Sequence, residues 1–188
     1  PTMTTKTYDV LDRPEVGSVL FYPRRDFGMP PEERNIFTVR IPVSEGVSIG
    51  GRLYLAGSTA PIIVYFHGNG EIASDYDSIA PLYTGLGISL LVVDYRGYGI
   101  SNGRPTASAL INDAVLCWQQ APRILADKQA QPEAMYVMGR SLGSAAALEI
   151  AAQADSNLSG LIIESGFAYT FALVERIGFV QLPDAFEQ

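Results

Sequence analysis

The sequence predicts an α/β fold: a mostly parallel sheet with helices on both faces, entered through an N-terminal antiparallel hairpin. Three observations predict it. Four short runs, Pro61 to Phe66, Ser89 to Val93, Tyr136 to Met138 and Gly160 to Ile163, are almost continuously apolar, as strands covered on both faces should be. Segments with helical spacing separate them, which implies right-handed crossovers between parallel strands. Ahead of them, Ile36 to Val43 and Ser48 to Leu55 alternate apolar and polar residues and meet at Glu45-Gly46, a natural hairpin turn.

Size and composition agree with one such domain. A chain of 188 residues can bury roughly 70% of its unfolded surface. With 47% apolar and 18% charged residues it is globular rather than disordered. A net charge of −7 argues against nucleic acid and anionic membrane surfaces as partners. No apolar run approaches the roughly 20 residues of a membrane-spanning helix. The single cysteine, Cys117, excludes an intrachain disulfide framework and a multi-cysteine zinc site. The N-terminus, Pro1-Thr2-Met3, has no signal-peptide pattern and does not begin with Met, so the compartment stays open.

Taken in order, residues 1–34 mix proline and charge around one short apolar run, Val19 to Tyr22, and read as an N-terminal extension. Residues 35–188 read as the α/β domain itself. Its helices are expected over Ala73 to Leu86, Thr106 to Ala121 and Ser144 to Ala154. In the second, Leu110, Ala114, Cys117, Trp118 and Ala121 share one face, and Thr106 is the expected N-cap. The stretch 167–188 is rich in Phe, Leu, Val and Ile. It is a candidate cap over the site, with a core helix as the alternative reading.

In an open parallel sheet, ligands bind beyond the carboxyl ends of the strands. Three strand ends carry unusual sequence: His67-Gly68-Asn69-Gly70, Asp94-Tyr95-Arg96-Gly97-Tyr98-Gly99-Ile100-Ser101, and Gly139-Arg140-Ser141-Leu142-Gly143. The last lies between a strand and a helix, the setting of a nucleophile elbow, in which a tight turn aims a serine hydroxyl away from the sheet. Gly139 and Gly143 suit positions where a Cβ would collide with neighbouring backbone. With Ser141 as nucleophile, an oxyanion would form beside the backbone N–H groups of Leu142 and Asn69. Gly68 and Gly70 would let their loop bend close to the elbow. A rival reading exists. Gly68-x-Gly70-x-x-Ala73 follows a strand and opens a helix, and Asp94 ends the next strand, as in a dinucleotide fingerprint with its ribose-binding acid. That reading leaves the Ser141 turn and the Arg96–Gly99 loop without a role.

On these three motifs, in this order, the chain resembles an α/β-hydrolase-fold serine hydrolase, over roughly residues 35 to 170. Glu164-Ser165-Gly166-Phe167 after the sixth strand fits the same group. The resemblance implies hydrolysis of an ester, thioester or similar acyl bond through an acyl-enzyme, on a small-molecule or acyl substrate, with no cofactor and no metal. Asp94 and Arg96 then read as structural, tying their loop to neighbouring backbone. His67 reads as support for the oxyanion loop.

The resemblance also exposes a gap. Its order is serine, then acid, then histidine, the last two after the seventh and eighth strands. Here His67 is the only histidine and precedes Ser141. The two lysines, Lys6 and Lys128, lack the Ser-x-x-Lys spacing. Asp155, Glu164 and Asp184 are downstream acids with no base to orient. The expectation is therefore a hydrolase domain incomplete at its C-terminus, lacking its last strands, with base and acid downstream. The apolar sixth strand would be left as an unprotected edge that invites pairing in a homodimer. A catalytically inactive, hydrolase-like binding module is the alternative.

Overall fold

The computed structural model describes residues 6–28, 33–153 and 155–167. The stretch expected to cap the site lies, beyond Phe167, outside the described residues.

Six strands form one sheet. The hairpin β1 (Ile36–Ser44) and β2 (Val47–Tyr54) turns at Glu45-Gly46, as expected, with Gly46 at φ 68°. Then follow β3 (Ile62–Phe66), β4 (Ser89–Val93), β5 (Met135–Arg140) and β6 (Leu158–Glu164). The spatial order is β1-β2-β4-β3-β5-β6. β2 meets β4 antiparallel, and β4, β3, β5 and β6 are parallel. β3 and β4 are buried along their whole length, which explains their unbroken apolar sequence.

Their side chains divide by alternation. Ile62, Val64, Phe66, Leu91 and Val93 face a core shared with α3 (Ala107–Asp127) and α4 (Gly143–Ala152), through Ala114, Trp118, Leu125, Ala146 and Ile150. α1 (Pro14–Leu20) joins this core through Val16 and Leu20, flanked by Leu11 and Phe21. Ile63, Tyr65, Leu90 and Val92 face Ala73, Tyr76 and Ala80 on the other side. Helices therefore cover both faces.

Two helix boundaries differ from expectation. The segment from Ala73 to Leu86 is a 3₁₀ turn, Ala73–Ser78, followed by the short α2, Ala80–Gly85. Pro81 lacks an N–H and its fixed φ suits the first turn of a helix, where a new helix starts. α3 runs beyond the expected end at Ala121, through Pro122, to Asp127. Leu125 extends the apolar face and is buried, while Pro122 lies on the solvent side. Thr106 is its N-cap, accepting the Ala109 N–H at 3.1 Å.

β6 differs from the inner strands. Among the described residues it pairs only with β5, and Leu161, Ile162 and Ile163 are about 40% exposed.

Candidate active site

The carboxyl ends of β3, β4, β5 and β6 bring the singled-out loops together. β5 ends at Arg140, and Ser141 turns the chain into α4 with φ 48°. A non-glycine residue in that region is strained by roughly 1–3 kcal/mol, so its surroundings must hold it there. They do so at both ends. The Ser141 N–H donates to the Glu164 carbonyl at 2.9 Å, and the Ser141 carbonyl accepts from the Ser144 N–H at 2.9 Å and its hydroxyl at 2.6 Å. Ser141 itself is exposed. The glycines beside it are required by space. A Cβ on Gly139 would lie 2.3 Å from the Gly143 carbonyl oxygen, and one on Gly143 would lie 2.0 Å from that of Phe66. The start of α4 thus lies directly against the end of β3.

The loop after β3 is fastened from several directions. His67 is fully buried, with Nδ1 2.9 Å from the Gly68 carbonyl oxygen and Nε2 3.1 Å from Asp94 Oδ1. Its ring packs against Tyr95 and Tyr98, at 4.6 and 5.9 Å between centroids. Both nitrogens are engaged away from Ser141, so the side chain is a brace for the loop. Tyr95 donates its hydroxyl to the His67 carbonyl. Burial pushes the Tyr95 and Tyr98 hydroxyls well above the usual tyrosine range, so both act as neutral hydrogen-bonding groups.

Asn69 follows. Its side chain donates to the Leu20 carbonyl at 2.9 Å and accepts from the Tyr22 N–H at 3.0 Å and the Tyr98 hydroxyl at 2.6 Å. That amide ties the segment after α1 to this loop, a role the sequence did not suggest. Gly70 turns the chain at φ 79°. Among the described residues, neither the Asn69 N–H nor the Leu142 N–H donates to an acceptor.

The loop after β4 is structural by its contacts. Asp94 is 3% exposed and accepts from the Ala73 N–H at 2.8 Å as well as facing His67. A Cβ on Gly99 would lie 2.1 Å from Asp94 Oδ2. A carboxylate enclosed in this way is not presented to a ribose, and the chain after Gly70 opens with a 3₁₀ turn. Arg96 departs from expectation. It binds a side chain and not backbone: Nε and Nη2 pair with both oxygens of Asp113 on α3, at 2.6 and 2.8 Å.

Two residues at the site escaped the sequence reading. Glu71, next after the Gly70 turn, accepts the Gly68 N–H at 2.8 Å. Arg140, between Gly139 and Ser141, pairs with Glu71 and with Glu164. Their signal was positional: each is the charged residue directly beside a motif.

A cleft of about 360 Å³ reaches the elbow at Leu142 and runs along α4, lined by Leu20, Phe21, Leu110, Leu142, Leu148 and Phe167. Among the described residues no group of His, Cys, Asp and Glu is arranged to hold a metal ion, and no helix is long and apolar enough to cross a membrane.

Residues 57–175, which carry all three loops, match the family described as serine aminopeptidase, S33. The chain belongs to this family. Its relatives include a protein of Mycobacterium tuberculosis, 29% identical over 147 residues, covering 77% of this chain and 50% of that protein. The lysophosphatidylserine lipase ABHD12 of Danio rerio is 30% identical over 95 residues, covering 50% of this chain and 24% of the lipase. Among solved structures, Est1E from Butyrivibrio proteoclasticus with bound ferulic acid superposes with a TM-score of 0.61 at 18% identity, covering 73% of this chain and 56% of that one. Such neighbours establish the α/β-hydrolase fold. This S33 family member spans about half the length of the first curated relatives it matches.

Proposed function

We propose that this family member is a serine hydrolase that cleaves a carboxylic ester or thioester through an acyl-enzyme on Ser141. The observation that carries the reading is the exposed serine held at φ 48° between two anchored backbone groups. Ser141 Oγ attacks the acyl carbonyl and its proton passes to a base. The resulting oxyanion is met by the N–H groups of Leu142 and Asn69, which are fixed before the charge develops. The base returns the proton to the departing alcohol or thiol, and water then releases the acid. His67, the one histidine of residues 1–188, is too firmly engaged to be that base, and base and orienting acid are expected downstream of these residues. The apolar cleft at Leu142 suits an acyl group, in keeping with the lipase among the relatives.

The test uses the protein at the full length of its reading frame, with p-nitrophenyl esters, an acyl thioester and an aminoacyl p-nitroanilide. Turnover of ester or thioester, lost in Ser141→Ala, is expected. Turnover of the anilide alone would replace the ester reading with a peptidase one. Ester turnover unchanged in Ser141→Ala would end the proposal.

A further inference from the structure

Behind the elbow lies a charged network that the proposed chemistry does not use. Glu71 Oε2 accepts the Gly68 N–H at 2.8 Å and lies 2.9 Å from the Tyr76 hydroxyl. That hydroxyl is also 2.9 Å from the hydroxyl of Tyr65 on β3. A carboxylate can only accept, so Tyr76 gives its one proton to Glu71 and takes that of Tyr65. The other Glu71 oxygen pairs with Arg140 Nη1, and Arg140 Nε reaches Glu164 Oε1 at 3.3 Å. Glu164 in turn holds the Ser141 N–H with its carbonyl. The chain of contacts closes on itself: oxyanion loop, Glu71, Arg140, Glu164, nucleophile.

We propose that Arg140, Glu71 and Glu164 are a positioning clamp that sets the oxyanion loop against the nucleophile; this rests on the Ser141 reading above. Three features support it. First, Glu71 takes up the Gly68 N–H and leaves the next one, that of Asn69, without a described acceptor. Second, Arg140 Nη1 lies 3.3 Å from where a Gly68 Cβ would stand, so the guanidinium packs on the loop it holds. Third, the three side chains are 39%, 25% and 49% exposed. Ion pairs that open to solvent add little to stability, so geometry is what the clamp contributes. A planar guanidinium can engage two carboxylates at once, which an ammonium point charge cannot do as well.

The experiment is steady-state kinetics and melting temperature of the full-length protein, its wild type first shown to be labelled at Ser141 by a fluorophosphonate. In Glu71→Gln and Arg140→Gln, kcat is expected to fall about 10- to 100-fold with KM within about twofold, the pattern of a misplaced oxyanion donor. Arg140→Lys, which reaches one carboxylate, should lie between wild type and Arg140→Gln. Glu164→Gln keeps the Glu71 arm and should lose less than about 10-fold. A loss near 10⁴-fold there would make Glu164 the orienting acid and overturn its place in the clamp. Melting temperatures should move by no more than about 2 °C. Unchanged kcat in both Glu71→Gln and Arg140→Gln overturns the clamp, as does a kcat loss that tracks a falling melting temperature. A wild type that hydrolyses ester without labelling at Ser141 overturns the functional reading, and the clamp with it.

Discussion

At the scale of single residues, the two most informative are Ser141 and His67. Both stood out in the sequence, Ser141 as the expected nucleophile and His67 as expected support for the neighbouring loop. The pentapeptide Gly139 to Gly143 announces a turn with no room for a Cβ, and the structure supplies the reason: carbonyl oxygens at 2.0 and 2.3 Å. His67 has the residue type of a general base and the location of a brace. Its enclosure by Asp94, Gly68, Tyr95 and Tyr98 depends on contacts between separate strand ends, which spacing along the chain does not encode. As a brace, His67 should matter to stability. We expect His67→Ala to lower the unfolding free energy by about 2–3 kcal/mol, because Asp94 loses a buried partner. Urea midpoints measure this; a midpoint equal to wild type would contradict it.

At the scale of elements, strands were read more faithfully than helices. An apolar run covered on two faces has few alternatives, so β3 and β4 fell within a residue of their expected bounds. Helix ends depend on what lies beneath them. α3 continues through Pro122 because Leu125 still has a core to enter, whereas the Ala73 segment divides where Pro81 suits the first turn of a new helix. The buried face of α3 carries a pH prediction. Burial, with Asp113 nearby adding to it, pushes the Cys117 thiol well above its ordinary value. Unfolded cysteine ionises near 8.5, so the stability from keeping the thiol neutral is complete below about pH 8.5. It is lost as pH rises above that value, at up to about 1.4 kcal/mol per unit for one proton. Cys117 should therefore resist alkylation at about pH 8 in the folded chain and react once urea unfolds it. Rapid alkylation without urea would contradict this.

At the scale of the whole molecule, strand order and helix placement follow from the alternation of apolar runs and helical segments, and three strand-end motifs locate the site. What the sequence could not show is how the site is held. Glu71, Arg140, Tyr76 and the Asn69 side chain act across 5 to 69 residues of separation, and the longer of these contacts exist only once separate strands have brought their ends together. The chain thus holds a braced serine and the Asn69 and Leu142 N–H groups at the carboxyl ends of β3 and β5, with the one histidine of residues 1–188 committed elsewhere. The most direct test of that account is intact-mass measurement after treatment with a fluorophosphonate. The full-length protein should gain one adduct, on Ser141, and Ser141→Ala none, while the 188-residue chain alone should react poorly. Rapid stoichiometric labelling of the 188-residue chain, abolished by His67→Gln, would contradict the account and make His67 the base.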